Sequence, residues 1–197
     1  PTQKHRWYNQ MQKPLALIAG AGAGLGQSLC ARFESGGFDV VGLGRTALTN
    51  PIGAFHTLDL SDKRAVTETL DRIIERHGVP KVVIHNTAQL VIAPFGETSL
   101  DDFTRTWTSM VQAAFLLGQS TLPKMAASSG GAFIVSGATA SLRGGPKFAA
   151  FASAKFALRG LTQSLAREYQ SQGVHVCHAI LDGIIDTPRS HDLHSLD

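Results

Sequence analysis

The sequence predicts an α/β protein built as a doubly wound parallel sheet with helices on both faces. Apolar runs of strand length alternate with helix-period segments along almost the whole chain. The strands read as near-continuous apolar stretches rather than as apolar–polar alternation, the pattern of strands buried on both faces. A glycine-rich loop separates the first strand from the first helix, and short connections follow throughout.

The elements follow in order. "LALIA" (15–19) is a strand, and "LGQSLCARFESGG" is a helix stopped at Gly36–Gly37. "DVVGLG" (39–44) is a second strand; "AFHTLDL" (54–60) is a third, after a linker marked by Asn50–Pro51. In 61–78, Ala65, Val66, Leu70, Ile73 and Ile74 form one helical stripe and Gly78 ends it. "KVVIH" (81–85) is a buried strand. A capping box, Ser99 to Asp102, opens a long helix through Phe103, Trp107, Val111 and Phe115. "GAFIVS" (131–136), a helix around 150–170 and "VHVCHAI" (174–180) complete the series. No repeat or low-complexity linker divides the chain, so residues 1–197 are expected to form one domain, with 1–13 as an N-terminal extension.

Composition narrows the classes. Hydrophobic content of 43% with 17% charged residues excludes disorder, collagen and a coiled coil. A net charge of +3 without a basic cluster argues against nucleic acid as a partner. Cys30 and Cys177 show no metal-ligand spacing and read as free thiols of a reducing cytoplasm. No apolar leader and no membrane-spanning apolar run is present, so a soluble cytoplasmic protein is expected.

"IAGAGAGLGQSL" places Gly20, Gly24 and Gly26, with Gly22 between, after a strand and at the opening of a helix. A backbone that turns tightly there and approaches a pyrophosphate tolerates no Cβ, and the helix N-terminus beyond it offers unpaired N–H groups to an anion. The fold is therefore expected to be Rossmann-like, with NAD or NADP as cofactor. Arg45 ends the second strand, where an arginine pairs with a 2′-phosphate and an acid would grip a ribose hydroxyl. NADP is expected in preference to NAD, although Ala23 adds no second basic residue.

The loop is similar to T-G-x-x-x-G-[IL]-G of the short-chain dehydrogenase/reductase family, with Ala19 at the threonine position and Leu25 at the branched one. The resemblance continues in order. Asp59, followed by Leu60, looks like the adenine-contacting aspartate. "HNTA" (85–88) retains Asn86 of N-N-A-G, and "DGIIDTP" (182–188) keeps Thr187 of P-G-x-x-x-T while Asp182 replaces the proline. It implies cofactor contacts from Gly20, Gly24, Leu25, Gly26, Arg45, Asp59, Leu60, Asn86, Lys155 and Thr187. It also implies that a helical substrate lid and a last strand would follow, and these are expected to be missing from this chain.

The family's catalytic Asn, Ser, Tyr and Lys map onto Met110, Ala138, Phe151 and Lys155. Only the lysine survives. "FAAFASAKFALRG" keeps Lys155 four residues after Phe151, on one helical face, where the family has Y-x-x-x-K. Tyr8 precedes the first strand, and Tyr169 lies about eighteen residues past Phe151, roughly 27 Å along a helix. Neither supplies the acid. Ser136 or Thr139 can restore one hydrogen bond, and His85 is either an improvised acid or a histidine held by backbone.

Two functions follow from the resemblance and these losses. One is an NAD(P)-dependent oxidoreductase with a degenerate active site, suited to activated alkenes or imines. The other is a catalytically silent NADP(H)-binding sensor or partner subunit. The family's paired long helices, here 100–126 and 150–170, imply a homodimer or homotetramer.

Overall fold

The computed structural model describes residues 13–187 together with Ser190 and His191. Tyr8 and most of the expected N-terminal extension lie outside the described residues. The elements are β1 (Leu15–Ala19), α1 (Leu25–Ser35), β2 (Asp39–Gly44), β3 (Ala54–Thr57), α2 (Lys63–His77) and β4 (Val82–His85). They continue with α3 (Leu100–Trp107), α4 (Ala113–Ala126), β5 (Gly131–Ser136), α5 (Ala149–Tyr169) and β6 (Val174–Ala179).

The six strands form one sheet in the order β3-β2-β1-β4-β5-β6, and every neighbouring pair is parallel. The order reverses between β1 and β4, which opens a crevice at their carboxyl ends. Successive side chains of β1 face opposite layers. Leu15, Leu17 and Ala19 join one core with Val66 and Leu70 of α2, Leu117 of α4 and Leu158 of α5. Ala16 and Ile18 join the other with Cys30 of α1, Val40 and Ile84.

Local chemistry sets the boundaries. Asp62 caps α2 by accepting the Ala65 N–H at 3.0 Å, and Gly78, at φ +87°, ends it. Ser99 caps α3 by accepting the Asp102 N–H at 3.0 Å. The third strand stops at Thr57 rather than residue 60, because Asp59 folds back to accept the Ser61 N–H at 2.9 Å and the Ser61 hydroxyl at 2.7 Å. The long helix expected over 100–126 is also divided. A π turn, Thr108–Gln112, separates α3 from α4 and widens the backbone at Met110. No helix of the described residues is long and apolar enough to cross a membrane.

Candidate active site

The crevice deepens into a cleft of about 750 Å³. Its floor and walls come from the loops after β1, β4, β5 and β6 and from the start of α5. Leu25, Asn86, Ala138, Phe151, Lys155 and Thr187, six of the residues expected from sequence, meet there.

The glycine loop is set by close approach. Gly20 has φ +88°, and a Cβ on it would lie 2.7 Å from the Asn86 carbonyl. A Cβ on Gly26 would lie 2.3 Å from the Gly20 carbonyl oxygen. Both positions therefore exclude a side chain for reasons of packing. Gly22 differs, since nothing lies within 4 Å of a Cβ built there. Gly24 caps α1 without a side chain and faces the Thr187 methyl, which a Cβ would meet at 2.8 Å. Asn86 braces this loop: its N–H donates to the Ala19 carbonyl at 2.7 Å and its Nδ2 to the Gly20 carbonyl at 3.2 Å.

These residues fit a dinucleotide. The side-chain-free N-terminus of α1 and the open face at Gly22 form a cradle that a Cβ would fill. Arg45 and Asp59 stand exposed beyond the ends of β2 and β3, and the Arg45 charge helps the Ser61 hydrogen bonds hold the Asp59 carboxyl below its usual range. The side chain of Leu60 is buried. It is only 5% exposed and belongs to the core beside α2.

Lys155 comes from the second turn of α5. Its ammonium donates to the Ser136 carbonyl at 2.8 Å and sits 5.5 Å from the centroid of the Phe151 ring. Burial lowers its pKa from 10.5 to about 8. No carboxylate of the described residues pairs with it.

Two expectations are corrected here. Met110 does not line the cleft. It is fully buried in the core, within the π turn. His85 is no proton donor to the cleft either. It is fully buried, burial and the Lys155 charge lower its pKa to about 3, and it is neutral near pH 7. Thr87 Oγ1 donates to the Ser109 carbonyl at 2.7 Å, so His85 Nε2, 2.8 Å from Thr87 Oγ1, must carry the hydrogen it shares with that oxygen. Tyr169 packs against the core at the far end of α5, away from the cleft.

Sequence reasoning missed one pairing. Thr139, next to Ala138, donates its hydroxyl to the carboxylate of Asp182, which stands where a proline was expected. Each departure is visible alone, but 43 residues separate them and only the alignment of β5 with β6 joins them.

The sequence profile of the short chain dehydrogenase family matches residues 14–195. The chain belongs to the short-chain dehydrogenase/reductase family. A short-chain dehydrogenase/reductase of Armillaria gallica is 28% identical over 191 residues, covering 90% of this chain and 73% of the relative. The crystal structure of a short-chain dehydrogenase from Rhodopseudomonas palustris is 34% identical, with a TM-score of 0.79 over 90% of this chain and 86% of that one. Two further structures share the fold. ElxO with NADP bound has a TM-score of 0.86 at 22% identity, covering 94% of this chain and 80% of ElxO. Xylitol dehydrogenase bound to NAD+ has a TM-score of 0.86 at 21% identity, covering 93% of this chain and 75% of that enzyme.

Proposed function

We propose that this short-chain dehydrogenase is an NAD(P)-dependent oxidoreductase with a degenerate proton relay, preferring NADP. One observation carries the reading: a buried lysine kept at the cleft wall with a ring lacking a hydroxyl beside it.

The cofactor, when bound, supplies or accepts hydride. Gly22 leaves room for the pyrophosphate, and the α1 N-terminus complements its charge. Arg45, exposed past β2, is suited to a 2′-phosphate, and Asp59 to the adenine side. Lys155 keeps its ammonium at the cleft by bonding the Ser136 carbonyl, with further N–H donors left for a ribose or a substrate oxygen. Its lowered pKa makes that ammonium a better proton donor near neutral pH than an ordinary lysine. Ala138 and Phe151 donate nothing, so substrates that need no hydroxyl proton, such as activated alkenes or imines, suit this wall better than simple ketones.

The same chain is proposed to self-associate through α4 and α5. Phe115 and Phe156 are 49% and 43% exposed there, and Trp107, Val111 and Leu161 line a shallow apolar hollow between the helices.

Fluorescence titration with NADPH and NADH, followed by cofactor-oxidation assays with an imine, an activated alkene and a ketone, tests the reading. NADPH should bind more tightly than NADH, and Arg45→Ala should remove about tenfold of that preference, a change of about 1.4 kcal/mol. Failure to bind either nucleotide overturns the proposal. Binding without turnover in any class makes the chain a silent NADP(H)-binding sensor or partner subunit, the second function that the lost hydroxyls favour.

A further inference from the structure

We infer that the Thr139–Asp182 corner of the cleft selects substrates carrying a cationic nitrogen, an iminium or ammonium group, on a compact apolar body. The inference rests on the cleft being the reacting end of the dinucleotide site.

The polarity of the corner carries it. The Thr139 hydroxyl gives its hydrogen to the Asp182 carboxylate, so what remains there for a ligand is acceptor lone pairs and a negative charge. The neighbouring position, Ala138, offers no hydroxyl to donate to a carbonyl oxygen. A bare ketone oxygen placed at this corner meets an acceptor and a charge of its own sign. A protonated nitrogen meets a charge-assisted hydrogen bond.

Asp182 forms no ion pair with any cation among the described residues, although Arg143 and Lys155 line the same cleft. Lys155 is turned to the Ser136 carbonyl instead. The acidic corner thus keeps its charge for a ligand. Around it the surface is apolar: Leu181, Ile184 and Ile185 form an exposed lip, with Phe148 and Phe151 also lining the cleft. The carbon of an iminium group is already activated by its own positive nitrogen, so it needs no proton from the hydroxyls this wall has lost.

Calorimetric titration of the intact chain at pH 7 with cyclohexylamine and with cyclohexanone, with and without saturating NADP+, tests the inference. The protonated amine should bind at least about tenfold more tightly than the ketone. Asp182→Asn should abolish the difference, and Thr139→Val should reduce it. Equal affinity for the two probes, or an amine affinity unchanged in Asp182→Asn, overturns the inference. So does a loss in Asp182→Asn confined to NADPH affinity, which would assign the carboxylate to the cofactor. NADPH binding by the wild type is measured separately, so a missing cofactor site and a missing cation site give different results.

Discussion

Lys155 Nζ and the Phe151 ring lie one helical turn apart on α5, with 5.5 Å between the ammonium and the ring centroid. The ring face offers the buried cation a favourable quadrupole, and the Ser136 carbonyl supplies a direct bond. The phenylalanine ring fills the space beside the lysine and carries no hydroxyl. Phe151→Tyr combined with Ala138→Ser should therefore restore a hydroxyl pair beside a cation already in position. Ketone reduction with NADPH should rise by about 10²–10⁴ in rate. A native protein as fast as this variant would show that no relay had been lost.

Lysine burial has its own pH signature. The unfolded chain holds the Lys155 proton up to pH 10.5, whereas the folded chain releases it near 8. Between those values the unfolded state binds more protons, so stability rises with pH by this contribution. Lys155→Met has no such group. The urea midpoint of the native protein should gain on that of Lys155→Met as pH rises from 8 to 10.5. A constant difference would contradict the burial of the ammonium.

Two imidazoles, the buried His85 and the half-buried His178, act at the acid end. Burial and the Lys155 charge lower the pKa of His85 from 6.5 to about 3 and of His178 from 6.5 to about 4, with Arg159 adding to the second. Below pH 6.5 the unfolded chain takes up protons that the folded chain refuses, so stability falls as pH falls toward 4. Each ring also has an unpartnered Nδ1, which makes charging costly. His85→Gln with His178→Gln should flatten the decline in thermal midpoint over this range.

Gly22 and Gly26 differ in what a side chain there would meet. Gly26→Ala places a Cβ 2.3 Å from the Gly20 carbonyl oxygen and should cost about 1–3 kcal/mol, several degrees in Tm for a chain of this size. Gly22→Ala meets nothing within 4 Å and should leave Tm unchanged while weakening NADPH binding at least about tenfold. Equal Tm losses would show that both glycines serve the fold alone.

Phe115 and Phe156 test the association surface. Phe115→Glu with Phe156→Glu puts two charges where apolar faces would meet. Sedimentation should show a dimer or tetramer for the native chain and a monomer for this variant. A native monomer at micromolar concentration would refute self-association.

The fold was legible because periodicity reports burial. Strands β1, β2 and β5 occupy the residues that their apolar runs mark, and α1 ends at Gly36–Gly37. The glycine loop was legible because a strand, a turn without Cβ atoms and a helix N-terminus are contiguous in the chain. By contrast, the π turn at Met110 has no local signature, and its carbonyl at Ser109 is bonded by Thr87 from another loop. His85 looked like a candidate acid because sequence shows a titratable side chain at a strand end but not its complete burial.

By itself, then, the sequence determined the sheet, the glycine loop and the apolar side chains at 110, 138 and 151, since each depends on residue type within a short stretch. Tertiary structure alone decided that Lys155 faces Ser136 and Phe151 without a counter-ion among the described residues, that His85 is sealed and neutral, and that Thr139 meets Asp182. Those properties arise from desolvation and from contacts between distant segments, and neither exists until the strands align.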